Sequence, residues 1–125
     1  MEKKIIIMLM NTGPDRPASL GSPFFQASAA AAMDLEVEVY FSAGNIALLR
    51  PGVADQLFPG KEKTKSVYSF MQDAHAAGVK FYACGGGMEE HDLSIGDTIP
   101  EFDGARGAAA YIDAVIQDGV VAITY

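Results

Sequence analysis

The chain holds a single cysteine, Cys84, and two histidines, His75 and His91, so its candidates for nucleophilic or acid–base chemistry are few. Cys84 ends the apolar run 79–84 and is followed at once by Gly85-Gly86-Gly87. Cysteine attacks as its thiolate, and the glycines would let the backbone approach a ligand closely. Amides at the start of a helix beginning near Met88 would stabilise an anion at this point, whereas Glu89, Glu90 and Asp92 oppose one. Lys80 shares a strand face with Cys84 but lies four residues away, about 13 Å along an extended chain, too far to pair with it. The alternative reading of Cys84 is a small buried strand residue, since free cysteine is among the most buried residue types.

His91 is a candidate proton donor or base beside Cys84, weighed against a solvated histidine among acids. Glu89, Glu90, His91 and Asp92 are consecutive and cannot all converge on one ion, so no metal site is expected. The loop Asn11-Thr12-Gly13 occupies the place where flavodoxin-like proteins hold a flavin phosphate. Pro14, Asp15 and Pro17 remove or oppose the donors such a cradle needs, and no Walker or dinucleotide glycine pattern occurs, so no cofactor is expected. Asn11, Thr12, Gly44, Gly85, Gly86, Gly87 and His91 are the residues expected to line a pocket with Cys84.

The elements that must position these residues alternate strand and helix. Residues 5–10 are a continuous apolar run, expected of a strand covered on both faces and placed centrally in a parallel sheet. The loop 11–21 follows, and Ser22-Pro23 pairs a capping hydroxyl with a proline at the first helical position, predicting a helix over 24–33. Glu36 to Phe41 alternates acidic and apolar residues before an apolar end, which suits a second strand, placed at an edge. A short helix or turn is expected over 44–49, ended by Pro51 and Gly52. Thr64 or Ser66 would cap the next helix, with Val67, Phe70, Met71, Ala74 and Ala77 at helical spacing and Gly78 just past its end. Residues 79–84 form the third strand and 98–102 a short fourth. Asp103 would cap a last helix whose Ala108, Ile112, Val115 and Ile116 share a face until Gly119, and 120–124 is the final strand.

Strand–helix alternation with right-handed crossovers predicts a three-layer α/β/α sandwich, flavodoxin-like, with about five mostly parallel strands, in one domain over 1–125. In such sheets ligands gather at the carboxyl ends of the strands, where Cys84 sits. The net charge of −7 repels phosphate backbones and anionic membrane faces, so neither nucleic acid nor membrane is an expected partner. Met1-Glu2-Lys3-Lys4 before the apolar run superficially resembles a signal peptide, but the run has only six residues and no cleavage site follows. No apolar stretch approaches the roughly twenty residues of a membrane span. One cysteine cannot form an internal disulfide, and a reducing cytoplasm fits it.

With these segments placed, the whole chain resembles the DsrE/DsrF-like sulfur-relay family. The similarity runs through the apolar first strand, through Val39-Tyr40-Phe41-Ser42-Ala43-Gly44 leading into Ile46-Ala47-Leu48-Leu49, through Phe81-Tyr82-Ala83-Cys84, and through residues 104–125. It implies a parallel-sheet domain forming homo-oligomers, trimers or hexamers, in which Cys84 carries a persulfide between sulfur donor and acceptor proteins. Such a carrier needs a reachable thiolate and no second thiol nearby to resolve the persulfide into a disulfide, and the cysteine count meets the second need. The competing expectation is a non-catalytic binding or scaffold subunit, with Cys84 structural and a small-ligand pocket at the strand ends.

Overall fold

Five parallel strands organise the molecule, and the computed structural model describes residues 3–125. Met1 and Glu2, half of the tetrapeptide before the apolar run, lie outside the described residues. The chain order is β1 (Lys4–Leu9), α1 (Gly21–Ala32), β2 (Glu36–Phe41), α2 (Val67–Ala76), β3 (Lys80–Ala83), α3 (Gly85–Glu90), β4 (Gly104–Ala105), α4 (Ala108–Val115) and β5 (Val120–Thr124). Across the sheet the strands lie β4-β3-β2-β1-β5, every neighbouring pair parallel.

The order explains the layers. From β1 to β3 the chain steps in one direction, and right-handed crossovers set α1 and α2 together on one face. From β4 it returns across the sheet to β5 beyond β1, and the reversed direction puts α4 on the other face. The result is an α/β/α sandwich.

Strand periodicity sorts the side chains. Val37, Val39 and Phe41 of β2, with Phe81 and Ala83 of β3 and Ile7 and Leu9 of β1, face α1 and α2 and are all buried. Phe24 of α1 reaches into this layer with its ring 5.9 Å from Phe41 and 6.0 Å from Phe81. The other face carries Lys4, Ile6, Met8, Glu38, Tyr40, Lys80 and Tyr82 in register. Tyr111 of α4 meets Tyr40 edge-on at 4.9 Å.

Several boundaries differ from expectation. Strand β2 is internal, between β1 and β3, because its acidic Glu38 is buried among cations rather than turned to solvent at an edge. Helix α1 starts at Gly21, since a 3-10 turn over Pro17–Leu20 runs straight into it, and no side chain caps it. Ser66 does cap α2, accepting from the Ser69 amide at 3.1 Å, and Gly78 follows at φ +108°. The fourth strand is only Gly104–Ala105; of the segment expected to form it, Ile99 is buried and its amide donates to the Leu49 carbonyl at 2.9 Å. Asp103 caps no helix. Its Oδ2 accepts from the Phe81 amide at 2.8 Å and lies 3.1 Å from His75 Nε2, tying β3 and α2 to the loop before β4. Helix α4 stops at Val115, and Ile112 within it and Ile116 just past it remain 54% and 70% exposed.

Candidate functional site

Cys84 stands at the carboxyl end of β3, where the chain turns directly into α3 with Cys84 itself as the residue before the first turn. Its side chain is exposed. Alternation along β3 turns it to the Tyr82 face, toward α4 and away from the α1–α2 layer. There it lines a cavity of about 180 Å³ together with Met8, Tyr40, Phe41, Ser42, Arg106 and Tyr111, with residues 107, 108 and 112 completing the lining. The walls are almost entirely apolar, and Arg106 is the only residue of the lining with a permanent charge.

Arg106 is held by an unusual set of contacts. Its amide donates to the Ala83 carbonyl at 2.8 Å, extending the β3–β4 ladder by one residue. From there the side chain crosses the sheet, its guanidinium 3.8 Å from the Tyr82 ring centre on β3. It ends on β2, where Nη1 donates to the Tyr40 hydroxyl at 3.1 Å and approaches Glu38 Oε1 at 3.4 Å. Tyr40 donates in turn to Glu38 Oε1 at 3.1 Å, and Lys4 of β1 binds Glu38 Oε2 at 2.9 Å from the other side. Glu38, 7% exposed, is therefore fully engaged by a phenol and two cations.

Titration follows from this packing. Burial is the largest influence on Tyr40 and raises its pKa above the ordinary phenol value, and the Glu38 charge adds to that effect, while the Arg106 hydrogen bond works against it. For Arg106 burial acts to lower the pKa, but the Tyr40 hydrogen bond and the charges of Tyr40, Tyr82 and Glu38 outweigh it and hold the guanidinium protonated.

Of the residues expected from sequence to line a pocket with Cys84, none of the others reaches this cavity. Several of them take part instead in contacts among the loops that follow the strands. Thr12 donates to Asn45 Oδ1 at 3.1 Å, and the fully buried Asn45 returns a bond to the Thr12 carbonyl at 2.9 Å and one to Ser42 at 3.3 Å, locking the loop after β1 to the turn after β2. Asn11 gives its amide to the Tyr125 carbonyl at 2.8 Å. Gly44 lies in the 3-10 turn Ala43–Leu49, next to Ala43, which holds a left-handed φ of +53°. His91 Nε2 faces the Ala43 carbonyl at 2.9 Å; a carbonyl only accepts, so this nitrogen carries the proton. Arg50 donates to the His91 carbonyl at 2.6 Å, completing the clasp.

Gly87 is a contact residue of another kind. A Cβ there would fall 2.4 Å from Ile46 Cδ1, so a larger residue would require that side chain to shift for α3 to keep its place against the Ala43–Leu49 turn. Gly85 has open space around its missing Cβ, and a Cβ on Gly86 would sit 3.9 Å from Cys84 Sγ, an ordinary contact. Of the three, Gly87 alone has a neighbour that a Cβ would crowd.

Sequence reasoning missed Met8, Tyr40, Ser42, Arg106 and Tyr111. One signal was present: Arg106 is the only Lys or Arg after position 80, and it directly precedes the Gly107 turn into the last helix.

Among the described residues no helix is long and apolar enough to cross a membrane. A family model described as the DsrE/DsrF-like family matches residues 3–123. No curated protein is similar enough to count as a match. Two solved structures share the fold over the full chain: the ychN protein from E. coli, with TM-score 0.77, 14% identity and 100% of both chains covered, and MTH1491, a protein of unknown function from Methanobacterium thermoautotrophicum, with TM-score 0.70, 15% identity, 99% of this chain and 100% of that chain covered.

Proposed function

Starting from the premise that this chain belongs to the DsrE/DsrF-like family, which is associated with sulfur relay, we propose that Cys84 is a sulfur-carrying nucleophile. The observation that carries the reading is an exposed sulfur, the only thiol of the chain, lining an apolar cavity at the carboxyl ends of parallel strands. A cysteine kept for packing would be buried like its neighbour Ala83.

The transfer is a sulfane-sulfur exchange without net oxidation. The Cys84 thiolate attacks the outer sulfur of a donor persulfide, R–S–SH. A new S–S bond forms on Cys84, and the old one breaks with its electron pair leaving on R–S⁻. An acceptor thiolate then takes the outer sulfur from Cys84 and regenerates its thiolate. No second cysteine lies in the chain to intercept the persulfide as a disulfide. On this reading the chain works as one domain in a reducing cytoplasm, between donor and acceptor proteins. Exposed Ile112 on α4, Ile116 just past its end, and Val121 and Ile123 on β5 support a homo-oligomer, which the family resemblance makes a trimer or hexamer.

The cavity also favours a second reading, a binding subunit that holds a small ligand without transferring sulfur. Intact-protein mass spectrometry after incubation with polysulfide separates the two. The carrier gains one or more sulfur atoms, which dithiothreitol removes and Cys84→Ser abolishes. Native protein that gains none returns the function to ligand binding.

A further inference from the structure

Resting on the homo-oligomer of the preceding reading and naming its contact, we propose that the outer edge of β5 pairs antiparallel with β5 of a second copy, across a two-fold axis at Ala122. The sheet ends in two unlike edges. Strand β4 has only two residues, Gly104 and Ala105, too short a template for another strand. Strand β5, Val120–Thr124, carries no charge and no proline and keeps an unbroken register with β1. An apolar edge without such guards offers its unmet N–H and C=O groups to a further strand. Neither β5 nor α4 has a buried residue, so this end of the sheet is unfinished in one copy.

The main chain of β5 is self-complementary. Successive residues of a strand turn their backbone groups to opposite sides, and on β5 the odd-numbered ones face β1. The Gly119 carbonyl accepts from the Lys4 amide at 3.0 Å, and the Tyr125 amide donates to the Met8 carbonyl at 2.9 Å. Val120, Ala122 and Thr124 therefore face outward. The Val120 amide is taken by the Gln117 carbonyl at 3.3 Å. Among the described residues nothing meets the Val120 carbonyl or the outward groups of Ala122 and Thr124.

A two-fold axis at Ala122 satisfies these groups together. Ala122 exchanges both its bonds with Ala122 of the second copy, and each Thr124 amide meets the other copy's Val120 carbonyl. Val121 then falls opposite Ile123 of the second copy in a non-hydrogen-bonded pair, the closer kind, where β-branched side chains pack. These two side chains are 48% and 37% exposed in one copy, and the pairing covers them. Charge favours the same place. Two chains of net charge −7 repel, yet residues 107–125 hold only two of the sixteen acidic residues, Asp113 and Asp118, and neither lies on β5. A two-fold contact closes on itself, so copies join in even numbers, which fits a hexamer and not a lone trimer.

Ala122→Pro tests the contact, because an edge strand tolerates proline where the N–H it removes points away from the sheet. In analytical ultracentrifugation native protein should sediment as an even-numbered assembly. Ala122→Pro should weaken the two-fold contact about hundredfold or more and release particles of half the size. Hydrogen exchange resolved to single amides needs no variant and decides if Ala122→Pro fails to fold. The Ala122 and Thr124 amides should exchange within about tenfold of the Val121 and Ile123 amides, which face β1, whereas on a free edge they exchange far faster. A native monomer, an odd-numbered assembly, or an assembly that Ala122→Pro leaves intact overturns the proposal. Freely exchanging Ala122 and Thr124 amides in an intact assembly overturn this contact and leave the homo-oligomer standing. Loading from polysulfide, measured separately, bears on Cys84 alone.

Discussion

Replacing Gly85, Gly86 and Gly87 with alanine one at a time should separate helix propensity from close packing in the element that presents Cys84. In a helix interior the change from glycine to alanine gains up to about 1 kcal/mol, partly by restricting the unfolded chain. Helix α3 has only six residues, so about half of that is the reasonable gain at each position. Gly85 meets nothing within 4 Å of a new Cβ and Gly86 meets only Sγ at 3.9 Å, and both variants should be more stable than the native chain by about 0.5 kcal/mol. Gly87 differs because its Cβ would stand 2.4 Å from Ile46 Cδ1, and Ile46 is itself 1% exposed, so its side chain would have to move within the core. Overpacking of this kind costs about 1–3 kcal/mol, which exceeds the propensity gain and leaves Gly87→Ala less stable by about 1 kcal/mol. For a chain of this length that is roughly 3–6 °C in Tm. Ile46→Val removes the offending carbon. Alone it should cost about 0.5–1.5 kcal/mol, but in the Gly87→Ala background it should cost less or stabilise, a coupling of about 1 kcal/mol. Thermal and urea denaturation of the four single variants and the double variant read these values. If Gly87→Ala is as stable as Gly85→Ala, and Ile46→Val adds independently, the packing argument for the position of α3 is wrong.

Glu38→Gln keeps the shape of the side chain but removes the charge facing Lys4 and Arg106, and it should lower the urea midpoint by the equivalent of about 1–3 kcal/mol. An unchanged midpoint would show that the cluster adds nothing to stability. Tyr68 is held at a pKa of about 12, by burial first and then by the hydrogen bond it donates to Glu101 at 2.7 Å. Its folded value lies above the ordinary 10.0, so the unfolded chain ionises first: this contribution is intact below pH 10 and declines as pH rises toward 12. Denaturation midpoints of native and Tyr68→Phe protein should therefore converge over that interval, and parallel curves would refute the assignment.

What could be read without coordinates was local. The unbroken apolar run before Met10, the glycine after α2 and the cysteine ending a short apolar strand each depend on neighbours a few residues away, so periodicity and capping chemistry were enough to find them. Glu38 shows the limit. In the sequence its charge argues for an exposed edge, and only the lateral placement of Lys4 and Arg106 makes burial tolerable. The glycines after Cys84 show a similar limit, since what a missing Cβ makes room for at Gly87 depends on Ile46, forty-one positions earlier in the chain.

Residue types and short-range pattern thus determined, by themselves, the alternation of strands and helices and the strand end on which the thiol stands, because both follow from the pleat and the helical turn. The composition of the cavity was decided by the tertiary structure. Strand order brings β1, β2 and β3 side by side, register sets Met8 beside Tyr40, and the return crossover lays α4 over them, so that Arg106 can span two strands to a partner sixty-six residues away. Such contacts arise from hydrogen-bonding between strands that no window along the chain contains.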